Sequence, residues 1–215
     1  MRHFGPDYVE QATTSDGTPV VLRLVRPGDK ELLRSAFERY SPESRYARFL
    51  GPKTSLSDDE LRYLTEVDHE DHFAIGAIRE SDGTGLAIAR FIRLPDREAT
   101  AEAAIAVADE AKGKGLGKLM FLRLCAAATE RGIERFRCEL LASNTAMQSL
   151  LQQLDPDRTI ETSDGVATVE LDLPATAPTE PHTEATPGGA MYRLFRAAAE
   201  NAVEWTESVR KLWRR

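Results

Sequence analysis

Apolar positions recur along the chain with two periods, close to two and close to three and a half, and the switches between them outline its elements. Residues 18–27 alternate after the turn signal Ser15-Asp16-Gly17, which predicts an edge-type first strand and leaves residues 1–17 as an N-terminal extension. Gly28-Asp29 offers an N-cap, and Leu32, Leu33, Ala36, Phe37 and Tyr40 follow at helical spacing. A second helical run covers 42–49. A third, 57–67, opens with Ser57 and Glu60 at the offset of a capping box. Apolar runs at 72–79 and 85–94 flank Glu80-Ser81-Asp82-Gly83-Thr84 and predict a hairpin. A strand over 100–108, apolar at Ala101, Ala103, Ile105 and Val107, enters a glycine-rich turn. The strongest helix of the chain, 116–131, comes next and is ended by Gly132. A strand over 136–142, a short helix over 144–154, and a hairpin of 159–162 with 166–173 around Ser163-Asp164-Gly165 complete the core.

Past residue 173 the pattern changes. Residues 174–189 are rich in Pro, Thr, Ala and Gly and read as a flexible linker. Residues 190–215 read as a separate amphipathic helix, with Met191, Phe195, Ala198, Ala202, Trp205, Val209 and Leu212 forming a seam. That seam suits packing within the protein, a homodimer, a dock for a partner protein, or, through Trp205, Trp213 and the basic end, a membrane surface. Packing within protein is the preferred reading, since a continuous apolar stripe is usually buried there.

Charge narrows the partners. With 28 basic and 35 acidic residues the chain carries −7, which opposes nucleic acid and anionic membrane and favours a cationic partner. The two cysteines, Cys125 and Cys138, sit in apolar stretches without CxxC spacing and read as buried thiols. His69 and His72 lie beside Asp68, Glu70 and Asp71, but no third cluster completes a metal site. Residues 1–8 lack the apolar stretch of a signal peptide, and no apolar run approaches the roughly 18 residues that span a bilayer. The expected location is the cytoplasm.

The chemistry concentrates in Lys112-Gly113-Lys114-Gly115-Leu116-Gly117-Lys118. Glycines at every second position between a strand and a long helix let several backbone N–H groups approach an anion without a Cβ in the way. The first-turn N–H donors of the helix add partial positive charge, and Lys112, Lys114 and Lys118 add full charges. A plain helix entry with solubilising lysines is the bland alternative. The P-loop pattern is absent, because Gly117-Lys118 is followed by Leu119 rather than a hydroxyl residue, and the glycine spacing does not fit GxGxxG.

Lys112-Gly-Lys-Gly115-Leu-Gly117 does fit the signature [Q/R]-x-x-G-x-[G/A], with Lys in place of the usual Gln or Arg. With the surrounding order of strand, turn, long helix, strand and short helix, residues 18–173 resemble the GNAT superfamily of N-acetyltransferases. Asp16-Gly17, Arg23-Leu-Val-Arg-Pro27, the segment 41–49 and Val67-Asp68-His69 look like the GNAT domain of bacterial protein lysine acetyltransferases. In that branch the domain is often fused to a nucleotide-sensing or ligase-like regulatory domain, and none is expected within this sequence. The resemblance implies a mixed α/β fold of the α+β type, with a central, mostly antiparallel sheet flanked by helices, and acetyl-CoA or another short acyl-CoA as cofactor.

It also implies roles. The backbone near Val107 and Ala108 pairs with the pantetheine arm, residues 112–118 hold the diphosphate, and Asn144 hydrogen-bonds the arm, although Asn is equally suited to an N-cap. The acceptor amine, with an ordinary pKa of about 10.4 for lysine, needs a base at neutral pH. Glu102, expected to be desolvated among Ala101, Ala103 and Ala104, is the candidate, with an outward-facing surface carboxylate as the alternative. Relatives often carry a general-acid tyrosine after the asparagine, and residues 147–151 contain none. Arg45, Tyr46, Arg48 and Phe49 border the acceptor cleft or simply pack a helix. The expected activity is transfer of an acetyl group to a primary amine, preferably a protein lysine. A small-molecule amine acceptor, or a non-catalytic acyl-CoA sensor acting through 190–215, are the alternatives.

Overall fold

A computed structural model describes residues 2–155 and 158–173; the linker and the C-terminal helix expected at 174–215 lie outside the described residues. Eight strands form one mixed sheet, β1 (Val9–Thr13), β2 (Pro19–Leu24), β3 (His72–Arg79), β4 (Gly85–Leu94), β5 (Arg97–Val107), β6 (Arg135–Leu141), β7 (Thr159–Ser163) and β8 (Val166–Asp172), in the order β1-β2-β3-β4-β5-β6-β8-β7. Every neighbouring pair is antiparallel except β5 with β6, which the long helix between them makes parallel. Five helices accompany the sheet among the described residues: α1 (Lys30–Glu38), α2 (Pro42–Phe49), α3 (Asp58–Thr65), α4 (Leu116–Thr129) and α5 (Thr145–Leu154).

The expected edge strand proved to be internal. β2 pairs with β3 on one side and with β1, which lies in the expected extension, on the other. Val9-Glu-Gln-Ala-Thr13 carries a single weak alternation, so its strand character comes from its register with β2 rather than from its own pattern. The segment before it is also structural. Phe4 is fully buried against Tyr8 and Phe73, its carbonyl accepts from Arg131, and its N–H donates to Glu130.

α4 explains the core. Every residue from Met120 to Ala128 is buried, because the helix packs on β3, β4 and β5 and is covered by the N-terminal segment. Arg123 on this helix is 4% exposed and reaches the Glu10 carboxylate of β1 through bonds of 2.7 and 2.5 Å. Burial acts to raise the Glu10 pKa, but Arg123 and the Tyr8 hydroxyl, 2.5 Å away, hold the carboxyl below its usual range. A depressed folded-state pKa means this stabilisation is present above about pH 4 and is lost as pH falls through the folded value. Glu10→Gln leaves the buried guanidinium short of its counter-charge and is expected to cost about 2 kcal/mol, below the full cost of a broken buried pair since Glu10 keeps some solvent. Thermal melting should read this as a fall of about 4–8 °C.

Candidate active site

Sheet register creates the site. β5 and β6 pair only from Thr100, Ala101 and Glu102 to Arg135, Phe136 and Arg137; beyond that β5 follows β4 to Val107 while β6 follows β8 to Leu141. The strands therefore part after Glu102, and the inner edge of β5 from Ala103 to Val107 has no strand beside it. Ile105 and Val107 on β5, Leu119 on α4, and Met147 and Leu150 on α5, the elements that flank this slot in the chain, are only partly buried where they pack against the core. Unpaired strand backbone with apolar walls can take an extended ligand as a surrogate strand.

At the far end of the slot, Gly113 and Gly115 have φ of +71° and +79°, the left-handed region that glycine adopts without strain. A Cβ on Gly113 would meet nothing within 4 Å, and one on Gly117 would come 3.5 Å from the Val107 side chain. The N–H groups of residues 113–118 find no acceptor among the described residues, and those of Leu116, Gly117 and Lys118 open α4. Six unengaged donors around a helix N-terminus fit a diphosphate. Leu116 adds only its backbone, because its side chain is buried in the core.

The lysines behave differently from expectation. The Lys112 ammonium sits 2.5 Å from both Asp109 and the Ser44 hydroxyl, and Lys114 pairs with Asp16 at 2.8 Å, so two of the three charges are already compensated. The Lys114 carbonyl also accepts from the Ser15 N–H at 3.1 Å, which fastens the turn to the β1–β2 hairpin. Lys118 is half-buried and forms no ion pair among the described residues. Binding of an anion here thus leans on backbone N–H groups more than on side-chain charge.

Asp109, read from the sequence as a turn residue, ties the two halves of the site together. It accepts from the Ser41 N–H at 2.7 Å and the Ser44 hydroxyl at 2.6 Å at the start of α2, as well as from Lys112. Burial opposes its ionisation, yet Lys112 and these donors hold its carboxyl well below the usual carboxylate range. The contribution is present above about pH 4 and fades as pH falls. Asp109→Asn is expected to cost about 1 kcal/mol, a modest figure for a partly exposed carboxylate. A melting midpoint lower by about 2–4 °C checks it.

Glu102 is exposed, whereas Ala101 and Ala103 are buried on the opposite face. The desolvated setting expected from its apolar neighbours is absent, because strand alternation turns those neighbours away from it. It stands where β5 and β6 separate, opposite Ile92 and Arg137 in register. Ala108 also departs from expectation: its N–H donates to the Leu86 carbonyl at 2.8 Å and its carbonyl accepts from Ala111. Strand-like pairing with a ligand therefore falls to Val107 and the residues before it. Asn144 caps α5 by accepting from the Met147 N–H at 3.1 Å, in the turn that follows β6.

Other candidates have structural explanations. Arg45 donates to the carbonyls of Tyr40, Glu38 and Thr54 and lies 4.8 Å over the Phe37 ring. His69 occupies a turn with φ +60°, and His72 Nε2 accepts from Arg90 at 3.0 Å; burial and Arg90 push the His72 pKa down to about 4. Both cysteines are buried, and burial pushes the Cys138 thiol up to about 12. No helix of the described residues is long and apolar enough to cross a membrane.

With this geometry in view, comparison with known proteins is informative. Residues 31–155 match the family model described as "Acetyltransferase (GNAT) family". The chain is 33% identical over 184 residues to acetyltransferase Pat of Mycolicibacterium smegmatis, covering 83% of this chain and 54% of that protein, so it spans about half the length of this relative. It is 30% identical to an acetyltransferase of Pseudomonas aeruginosa, covering 71% of this chain and 85% of the relative. Among solved structures, the GNAT domain of S. lividans PAT superposes with a TM-score of 0.69 at 29% identity, covering 77% of this chain and 97% of that one.

Proposed function

Because the chain belongs to the GNAT acetyltransferase family, whose members use acetyl-CoA, we propose that it moves the acetyl group onto a primary amine of a protein lysine, in the cytoplasm. The observation that carries this reading is the parting of β5 from β6 at Glu102, with unengaged N–H groups of residues 113–118 beyond the other end of the slot. The five residue-to-residue steps of extended chain from Glu102 to Val107 cover roughly 17 Å. A ligand anchored by its diphosphate at the turn thus lies along the slot with its far end toward the carboxylate.

Each part of the chain has a task. Residues 113–118, with Lys112, Lys114 and Lys118, hold the diphosphate through N–H donors and local positive charge. The open edge of β5 up to Val107 orients the arm, and Asn144 flanks it. Acetyl-CoA supplies an activated acyl carbon, and as the new C–N bond forms its C–S bond breaks, coenzyme A leaving as a thiol that takes its proton from solvent. Glu102, directly or through one water, accepts the proton that the attacking amine must lose, and β5 N–H groups at the edge steady negative charge developing on the carbonyl oxygen. Glu102 being exposed suits an acceptor as large as a protein. The chain's charge of −7 favours approach of a lysine-rich surface. Two unpaired cysteines accord with a reducing compartment.

Thiol release from acetyl-CoA should be measured against lysine peptides and against free polyamines and amino acids. Turnover with peptides at least about tenfold above the small amines is expected, a difference in transition-state binding of some 1.4 kcal/mol. Turnover confined to small amines would replace the acceptor. Tight cofactor binding without turnover on any amine would leave a sensor, the reading that the lack of tyrosine in residues 147–151 favours.

A further inference from the structure

On the side of the sheet that carries Glu102, Arg90 and Arg48 form no ion pair among the described residues. In the β4–β5 register Ile92 faces Glu102 and Arg90 faces Ala104, so Arg90 and Glu102 point to the same side. Arg90 is 4% exposed and donates to the Leu64 carbonyl and to His72, both uncharged partners. Burial and the neighbouring Arg48 lower its pKa to about 9. α2 packs across β5 and β6 on this side. From it Arg48 lies within electrostatic reach of Tyr40, Glu102 and Arg90, its guanidinium carbon 5.1 Å from the centre of the Phe49 ring. Among the described residues Arg48 donates no hydrogen bond, although its neighbour Arg45 donates three. Arg137, the third arginine on this face, is answered by Glu139 at 3.1 Å.

Arg48 is half-buried, so its guanidinium, with no acceptor among the described residues, is open to an acceptor that a ligand supplies. Its planar fork matches the two oxygens of a carboxylate, and Arg90 behind it adds positive potential in a water-poor setting. We propose that Arg48, backed by Arg90, forms a carboxylate subsite beside Glu102, filled by an acidic group carried close to the reacting atoms by one of the two substrates. Its place next to the chemistry rests on the acetyltransferase reading. The carboxylate belongs either to a dicarboxylic acyl group or to an acidic residue adjoining the acceptor lysine.

Calorimetric binding to the full chain separates these sources. One arm compares succinyl-CoA with acetyl-CoA. The other compares a Lys-Glu peptide with its Lys-Gln counterpart on the chain saturated with coenzyme A. One arm is expected to favour the carboxylate by about tenfold or more, the range of a charge-assisted hydrogen bond. Arg48→Gln should shrink that preference to under about twofold, the scatter of such comparisons, while Arg62→Gln on the surface of α3 should keep it. Arg48→Lys, which retains the charge without the fork, should keep part of it and serves if Arg48→Gln fails to fold. Equal binding within each pair, or a preference that survives both Arg48 substitutions, would overturn the subsite. Because the readout is binding, absence of turnover would count against the acetyltransferase reading and leave this comparison intact.

Discussion

Gly115→Val is expected to raise the KM for acetyl-CoA about a hundredfold, two lost or misdirected charge-assisted hydrogen bonds being enough for such a change. Gly115 is the N-cap of α4 at φ +79°, where a β-branched residue is strained by roughly 1–3 kcal/mol. Relief of that strain turns the peptide planes on either side, and with them the N–H groups of residues 113–117 that are proposed to converge on the diphosphate. A Cβ would also stand close to the backbone that the anion needs to approach. The core of α4 begins only at Leu116, so the melting midpoint should fall by a few degrees while cofactor affinity collapses. Calorimetry with coenzyme A checks the affinity directly. An unchanged dissociation constant would remove the turn from the cofactor site.

Glu102→Gln is expected to lower kcat by about a hundredfold or more at neutral pH, the usual contribution of a positioned general base. The deficit should narrow as pH rises toward 10, where the acceptor amine loses its proton to solvent and needs less help. Cofactor binding should hold, because the N–H groups proposed to hold the diphosphate lie on the turn, beyond the end of β5. A pH–rate profile of the variant that runs parallel to the parent at reduced height would assign Glu102 a positioning role. Full activity at pH 7 would move the base elsewhere.

Most of the fold was legible because the strong patterns are local. The α3 capping box, the β3–β4 hairpin and α4 each announce themselves within one continuous stretch of chain. What escaped depends on partners distant in the chain. Val9–Thr13 is a strand because β2 pairs with it, and Phe4 is core because Arg131 and Glu130 hold its backbone. The same division runs through the site. The glycines and Glu102 stand out in their own segments, whereas the Asp109 bridge to Ser41 and Ser44, the pairing of Lys114 with Asp16 and the missing acceptor at Arg48 exist only once the strands are registered. The desolvation expected at Glu102 failed for a related reason: apolar neighbours in sequence are not neighbours in space on a strand.

The parted strands carry a mechanical implication. Along β5 and β6 the sheet is sewn by three residue pairs, so it behaves as a five-stranded leaf and a three-stranded leaf joined at a short seam. Such a seam is a natural boundary between cooperative units, and amides in β6, β7 and β8 should open at lower free energy than those of β2 to β4. A cofactor lying in the gap would act as a splint across both leaves, so ligand occupancy would set how independently the smaller leaf breathes.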